Sequence, residues 1–373
     1  MKHSSKQPDR IVVKVGTSSL VSPAGSLDPA KIRTLTGQLA SLVSQGRQVV
    51  LVSSGAIRAG MERLGLNQRP KTIPEQQAAA AVGQVALMKL YAELFTEAGI
   101  PCGQVLLTRD DFSHRTRYLN ARNTLYTLLR GGCVPVVNEN DTVATDEIKF
   151  GENDTLSALV AACVDADLLV NLSDVDGLYD GDPRQGTSCR LIDEVARITP
   201  EIEAIAGGTE GDCGSGGMKS KIDAAKIAVS SGVRMVIANA AHENVVARVV
   251  AGEDIGTRFL SKKVGLSHRK RWIAFGNRVG GTIAINEGAR KALLERGKSL
   301  LPAGVVAVQG SFEAGCLVAV VDGSGCQIAR GLANYGSSEI GLIMGKNSSQ
   351  IESILGHSDF DEVIHRDNLV LGV

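Results

Sequence analysis

The sequence predicts an α/β protein: a largely parallel sheet covered by helices on both faces, followed by a smaller β-rich domain. Three observations predict this. Aromatic residues make up only 3% of the 373 residues while Ala, Val and Gly dominate, a composition suited to close helix-sheet packing and glycine-rich ligand turns. Apolar β-branched runs are each followed by a small-residue or polar turn and then a helical pattern, the order that parallel strands with crossover helices require. Around 261–270 the chain turns polar and basic, SKKVGLSHRK, and beyond it short alternating strands take over. The expected boundaries are 1–262 for the first domain, 263–270 for the linker and 271–373 for the second domain; 373 residues leave room for two cores.

Charge and targeting narrow the class. With 40 basic and 40 acidic residues the chain carries no net charge, which argues against a main task of coating nucleic acid or anionic membrane. The start, MKHSSKQPDR, lacks the apolar core of a signal peptide, and no uninterrupted apolar run approaches membrane-spanning length, so a cytoplasmic location is expected. Seven cysteines without a CxxC pair read as reduced thiols, with Cys163, inside an apolar helix, as a small buried hydrophobe.

In chain order, the first strand is expected at 10–15, RIVVKV, ending in Gly16-Thr17-Ser18-Ser19. A lysine inside an apolar strand faces either solvent at a sheet edge or a ligand at the strand's carboxyl end, which makes Lys14 a candidate phosphate ligand. An amphipathic helix at 29–45 leads to a strand at 48–52 and the turn Ser53-Ser54-Gly55-Ala56-Ile57, able to offer N–H groups and a hydroxyl to an anion. No histidine accompanies Ser54, so it reads as a binding hydroxyl rather than a nucleophile. Helix 76–97 has Ala over much of its surface and Gly83 inside it, which points to tight packing or a subunit contact. Strand 103–107 leads to a basic helical region at 115–130, whose arginines read as a solvated face because stacking aromatics are nearly absent.

The stretch that organises the rest is 134–162, VPVVNENDTVATDEIKFGENDTLSALVAA. A strand delivers Asn138-Glu139-Asn140-Asp141, and a helix start, with its cap expected at Asn153 or Asp154, delivers a second acid-amide cluster. Glu139, Asp141, Asp146, Glu152 and Asp154 have only Lys149 near them in sequence. They meet water, cations or an ammonium group, or else form a solvated acidic loop before a well-capped helix. A strand at 167–172 follows, ending in Ser173-Asp174-Val175-Asp176-Gly177. The glycine-rich run 207–221, GGTEGDCGSGGMKSK, opens a helix reaching Ala228. It lacks the GxxxxGK[ST] spacing, yet glycines before a helix start with a lysine on its first turns hold phosphate by the same physics; the alternative is a flexible surface loop. Beyond the linker, strands are expected at 271–275, 304–309 and 317–322, and helices at 288–296 and 348–355.

Taken in order, Lys14-Val-Gly-Thr-Ser18, Ser53-Ser-Gly-Ala56, GQVLLTR at 103–109, Tyr118-Leu-Asn-Ala-Arg122, Asn138-Glu-Asn-Asp-Thr-Val143, Gly151-Glu-Asn-Asp154 and Gly214-Ser-Gly-Gly-Met218 closely resemble the glutamate 5-kinase family. Each motif is modest, but the ordered set is specific and spans nearly the whole chain. The resemblance implies the amino acid kinase fold, an open three-layer α/β/α sandwich, with a C-terminal PUA domain matched at Gly281-Thr-Ile-Ala-Ile-Asn-Glu-Gly288 and Lys298-Ser-Leu-Leu-Pro302. The activity it implies is ATP-dependent phosphorylation of the γ-carboxylate of L-glutamate to L-glutamyl 5-phosphate, the first step of proline biosynthesis. Two positions depart from the family pattern: Glu152 stands where Asp is commoner, and Cys316 where the accessory domain usually has an acid.

The residue chemistry is compatible with that implication. A carboxylate with an ordinary pKa of ~4.3 is already ionised at neutral pH and needs no general base. What phosphoryl transfer to it needs is management of negative charge. By the resemblance, Lys14 and Lys221 supply positive charge from the two ends of the site, Asp154 orients them and Glu152 supports it. Ser54, Asp141 and Asn153 hold the substrate. Lys14, Ser173, Asp174, Ser215, Gly216, Gly217, Met218, Lys219, Ser220 and Lys221 bind the nucleotide, with Mg²⁺ held mainly through the ATP phosphates and no direct protein ligand. The resemblance also implies feedback inhibition by proline, a homodimer or homotetramer, and hand-over of product to a glutamyl phosphate reductase. Against acetylglutamate kinases and aspartokinases stands the NENDTV and GENDTLSA pair. A reading from another class, RNA binding through the second domain, rests on His268-Arg-Lys-Arg-Trp272.

Overall fold

The structure is a computed structural model of the chain and describes residues 8–22, 26–112, 114–144, 152–181, 189–207, 217–261, 273 and 279–372. The chain divides into two compact units, Met1–Thr108 with Leu119–Gly265, and Arg109–Tyr118 with Leu266–Val373.

The first unit is laid out as β1 (Arg10–Val15), α1 (Pro29–Ser44), β2 (Gln48–Ser53), α2 (Ala56–Arg63), α3 (Ile73–Glu97), β3 (Cys102–Leu107), α4 (Arg115–Arg130), β4 (Val134–Glu139), α5 (Glu152–Cys163), β5 (Leu168–Ser173), β6 (Glu194–Val195), α6 (Pro200–Gly207), α7 (Met218–Ser230), β7 (Arg234–Asn239), α8 (Val245–Ala251) and β8 (Thr257–Phe259). Its eight strands run in the order β3-β4-β2-β1-β5-β7-β8-β6, parallel except for the β7-β8 pair. β1 is therefore an interior strand, and of the two places open to Lys14 the sheet edge drops out. Along β1, Ile11, Val13 and Val15 join a core formed with α1, α3 and α8. By the two-residue alternation of a strand, Lys14 points to the opposite face, where α5 and α7 pack.

Local chemistry sets the helix ends that matter. Asp28 accepts from the N–H groups of Ala30 and Lys31, and Pro29 opens α1. α3 starts three residues earlier than its periodicity indicates, because Glu75 reaches back to the Thr72 N–H at 3.2 Å. The glycine inside α3 answers to packing within the chain. A Cβ on Gly83 would stand 1.8 Å from the Ala56 carbonyl oxygen, and one on Gly60 1.7 Å from that of Ala79, so α2 and α3 touch backbone to backbone. At 25 residues α3 is long and apolar enough to cross a membrane by length and composition, but Ala79, Gly83, Leu87, Tyr91 and Phe95 are buried in this unit. Cys163 is buried in α5, as its apolar surroundings imply.

Two expectations need correction. α5 begins at Glu152, which puts Asn153 and Asp154 inside the first turn rather than at the cap; both side chains are engaged by other elements instead. The arginines of α4 are not simply a solvated face. Arg122 and Arg130, with Arg10 of β1, stand 4.5, 6.0 and 4.7 Å from the centroid of the Tyr126 ring, and Arg117 pairs with Asp110 and Asp111.

The second unit contains β9 (Gly281–Ile285), α9 (Glu287–Arg296), β10 (Val305–Gln309), β11 (Leu317–Val321), β12 (Gln327–Leu332), α10 (Ser337–Ile343), α11 (Ile351–Leu355) and β13 (Leu369–Leu371), with strand order β10-β9-β11-β12-β13. Ile283, Val318, Val320, Tyr335 and Ile340 build its own core. The expected helix at 348–355 is a short 3-10 turn, Ser348–Gln350, running into α11. The strand expected at 271–275, apart from Ile273, and the basic stretch 268–272 lie outside the described residues.

Candidate active site

Strands β1, β2, β4 and β5 end together at one edge of the first sheet, and the helices that follow β2 and β4 start there. Open parallel sheets gather their ligand groups at this edge. Lys14 of β1 lies beside Asn171 of β5 in register, both buried. Above them the first turn of α5 supplies Asp154, and the first turn of α7 supplies Ser220 and Lys221.

Asp154 is the hub. Its Oδ1 lies 2.6 Å from Lys14 Nζ and accepts from Asn171 Nδ2 at 2.9 Å; its Oδ2 accepts from Ser220 Oγ at 2.7 Å and Lys221 Nζ at 3.3 Å. Burial alone pushes such a carboxyl up, but the charges of Lys14 and Lys221, with the hydrogen bonds from Lys14 and Ser220, overcome it and hold Asp154 well below the usual carboxylate range. Lys221 is also lowered from its ordinary value: burial lowers it, Asp154 opposes that, and Lys14 adds to the lowering. Two ammonium groups around one carboxylate leave a net positive charge, in a buried setting where it acts strongly on an incoming anion.

Beside this ionic cluster is a neutral one. Asn153, next to Asp154 on the same turn, donates from Nδ2 to Ser54 Oγ at 2.8 Å, Asn138 Oδ1 at 3.1 Å and the Ser53 carbonyl at 3.4 Å. Ser54 is placed by its own N–H, which donates to the Val15 carbonyl at 3.2 Å, and by Gly55, whose φ of +104° turns the chain into α2. Beneath it the Ser53 hydroxyl meets the buried Tyr91 hydroxyl at 2.8 Å. Asp141 stands two residues past the end of β4, half-buried; burial pushes its carboxyl up to about 6, against the pull of Arg69.

Of the other residues singled out from sequence, Gly217 precedes α7 in an extended conformation, and Met218, Lys219, Ser220 and Lys221 form its first turn. The Ser220 hydroxyl also lies 2.8 Å from the Gly217 carbonyl. Ser173 ends β5 and donates to Asp174 Oδ1 at 3.1 Å; Asp174 is exposed, and its charge favours the ammonium form of Lys221. Ser215 and Gly216 lie outside the described residues, as does the side chain of Glu152, whose backbone begins α5. Residue-by-residue reading overlooked Asn171 and Gln84. Asn171 carries the signal that marked Lys14, a polar residue inside an apolar strand, LLVNLS. Gln84, whose Oε1 accepts from Asn138 Nδ2 at 2.9 Å, has no such signal on a helix.

Comparison with known proteins agrees with this architecture. The profile of the amino acid kinase family matches residues 9–239, and that of the PUA domain residues 281–355. The chain is 54% identical over 362 residues to the glutamate 5-kinase of Methylibium petroleiphilum and 52% identical over 362 residues to that of Caldanaerobacter subterraneus subsp. tengcongensis, each pairing covering 97% of both chains. To the glutamate 5-kinase of Carboxydothermus hydrogenoformans it is 51% identical over 372 residues, 100% of both. Among solved structures, the UMP kinase of Bacillus anthracis overlays with a TM-score of 0.48 at 14% identity, covering 69% of this chain and 98% of that one. The chain belongs to the amino acid kinase family, and the curated relatives that match it end to end are glutamate 5-kinases.

Proposed function

We infer that the chain transfers the γ-phosphoryl group of ATP to the γ-carboxylate of L-glutamate, giving L-glutamyl 5-phosphate and ADP. The observation that carries this reading is the Lys14-Asp154-Lys221 bridge set directly beside an amide and hydroxyl cluster, in a chain that glutamate 5-kinases match over its full length. An ionised carboxylate attacks without help, so the site's work is to bring two anions in line and to balance the charge that spreads over the transferring group. Lys14 and Lys221 supply that balance from two sides, and Asp154 holds both ammonium groups against their mutual repulsion. Asn171 and Ser220 use the remaining acceptor positions of Asp154, so the hub has little freedom to move during the reaction.

That saturation also bears on the metal. With two donors on each Asp154 oxygen, the carboxylate has no lone pair left to direct at a cation, and among the described residues no cluster of three His, Cys, Asp or Glu side chains could hold one. The residues present fit Mg²⁺ that arrives as part of the nucleotide, coordinated by its phosphates. Ser173, Asp174 and the run from Ser215 to Lys221 would receive that nucleotide, while Ser54, Asp141 and Asn153 would receive glutamate. Feedback by proline, assembly into dimers or tetramers and hand-over of the labile acyl phosphate to a reductase are carried over on the end-to-end likeness to glutamate 5-kinases alone. The test is an ATP-dependent hydroxamate assay with glutamate, aspartate and N-acetylglutamate. Product is expected with glutamate; faster turnover of either other acid would overturn the reading.

A further inference from the structure

We infer that Gln84 is a positioning residue for the substrate site: acting through Asn138, it fixes which end of the Asn153 amide faces the ligand. The inference rests on the reading of this site as the one that binds glutamate. Gln84 lies buried on α3, away from the turns that carry the other site residues. Its Oε1 accepts from Asn138 Nδ2 at 2.9 Å; Asn138 Oδ1 in turn accepts from the Glu139 backbone N–H at 2.9 Å and from Asn153 Nδ2 at 3.1 Å.

The direction of this chain of amides is set by its backbone members, because a peptide N–H only donates and a peptide carbonyl only accepts. Asn138 must turn its oxygen to the Glu139 N–H, which leaves its NH₂ facing Gln84. Asn153 must turn its NH₂ to Asn138 Oδ1 and the Ser53 carbonyl, and Ser54 Oγ takes part in the same fan of acceptors. What Asn153 has left is its oxygen, buried and without a hydrogen-bond partner among the described residues. An amide oxygen receives an ammonium group and repels a carboxylate. Ser54, already accepting from Asn153, keeps its proton to donate to an anion. The polar chain thus gives the site an ammonium end at Asn153 and an anion end at Ser54.

Gln84 secures the far end of that chain. Its Nε2 is buried with no partner among the described residues, an unfavourable state that a methionine of similar volume would avoid, so the useful atom is the oxygen that Asn138 needs. Its place is firm, since the neighbouring Gly83 is pressed against the backbone of α2. Without the acceptor, the NH₂ of Asn138 is buried and unpaired. Any rotation that relieves it breaks the bond to Asn153, whose amide is then held only by the Ser54 hydroxyl at 2.8 Å and the long contact to the Ser53 carbonyl at 3.4 Å, so that its oxygen is less firmly aimed at the substrate ammonium.

The experiment compares the full-length parent with Gln84→Met and Gln84→Glu, measuring kcat, the KM for glutamate and the KM for ATP, with thermal unfolding as the check on folding. Gln84→Met removes the strong acceptor; Gln84→Glu keeps an acceptor oxygen, ionised or not, and removes Nε2. Gln84→Met is expected to raise the glutamate KM about tenfold with kcat and the ATP KM within about twofold, and Gln84→Glu to stay within about threefold of the parent in glutamate KM. The inference is overturned if Gln84→Met leaves the glutamate KM within twofold, if Gln84→Glu loses as much as Gln84→Met, or if both KM values and the unfolding temperature shift together. Should Gln84→Met fail to fold, Gln84→Glu decides the matter by itself, a tenfold loss in glutamate KM with intact folding counting against the inference. A parent that turns over no glutamate at all would instead remove the functional reading beneath it.

Discussion

Asp154 and Asn153 are consecutive residues on one helical turn, and their surroundings are opposites. Around Asp154 every acceptor position is filled from within the protein, by two lysines, an asparagine and a serine. Around Asn153 the amide is oriented but its oxygen has no partner among the described residues, and Asp141, two residues past β4, has a carboxyl raised to about 6 by burial. The difference teaches where each kind of order belongs. On the assignment proposed above, Asp154 belongs to the end facing phosphoryl transfer, which must be set before the reaction because any reorganisation there adds to the barrier. The end facing the substrate must keep unsatisfied groups for the ligand to satisfy, because specificity comes from groups that are costly to leave unpaired.

The sharpest way to break the contrast is Asp154→Ala. It strands two buried lysines at once, so both folding and turnover should suffer: a loss of ~3 to 5 kcal/mol in stability, and a fall in kcat larger than for either lysine alone. Thermal unfolding alongside initial rates checks this, and near-parent kcat would remove the hub from the mechanism. Next come Lys14→Ala and Lys221→Ala, each expected to lower kcat by the ~3 to 4 kcal/mol typical of losing one contact to transition-state charge. A lysine variant with near-normal kcat would show that charge at that end is dispensable.

Asn153→Ala and Asp141→Asn act on the other side of the comparison. They should raise the glutamate KM by ~1 to 3 kcal/mol with a smaller change for ATP; a raised ATP KM with unchanged glutamate KM would contradict the assignment. The pH dependence separates the two ends without mutation. Asp141 in the unliganded protein changes charge near pH 6, so the glutamate KM should rise as pH falls through about 6, and Asp141→Asn should flatten that rise. In stability the same raised value has the reverse sign: the unliganded fold loses the contribution of the neutral acid as pH climbs from the ordinary carboxylate value toward about 6. Asp154, held low, stabilises the fold above the ordinary carboxylate range and loses that contribution only as pH drops below it. The smallest effect is expected at Glu152, the first residue of α5. Glu152→Asp should keep kcat within tenfold, ~1.4 kcal/mol, while Glu152→Ala lowers it further and alters the Mg²⁺ dependence. A Mg²⁺ titration of the three proteins in which alanine matches the parent throughout would reduce Glu152 to a favourable acid at a helix start.

Much of this molecule is legible in its amino acids, and the parts that are not share a cause. Lys14 announces itself because a lysine inside RIVVKV needs a special destination, and Ser54 because strand, small turn and helix follow in order. The strands at Arg234–Asn239 and Gln327–Leu332 are harder to read: the first opens on an arginine and closes on an asparagine, and Arg330 and Gly331 interrupt the pattern of the second. Asn153 and Asp154 are both good capping residues and the local pattern puts the cap of α5 there, but their partners lie on β1, β2, β4, β5 and α7, and contacts at that distance in sequence override a local preference. Gln84 is hardest to see, since a glutamine on an alanine-rich helix is unremarkable until the fold brings Asn138 against it.

The adjacency of Asn153 and Asp154 has a metric consequence. Consecutive helical residues differ by about 1.5 Å in height and about 100° in direction, and those values do not stretch. On the assignment proposed above, the group that engages the ligand's head and the group that holds the two lysines at the transferring phosphate are therefore fixed to one rigid gauge. Chain length in the acceptor is then measured by the pitch of a helix rather than by the depth of a pocket. On the same assignment, an acid one methylene shorter, held at its head, presents its distal oxygen short of the position that glutamate's reaches. The ratio of glutamate to aspartate turnover, each at saturation, reads that gauge directly.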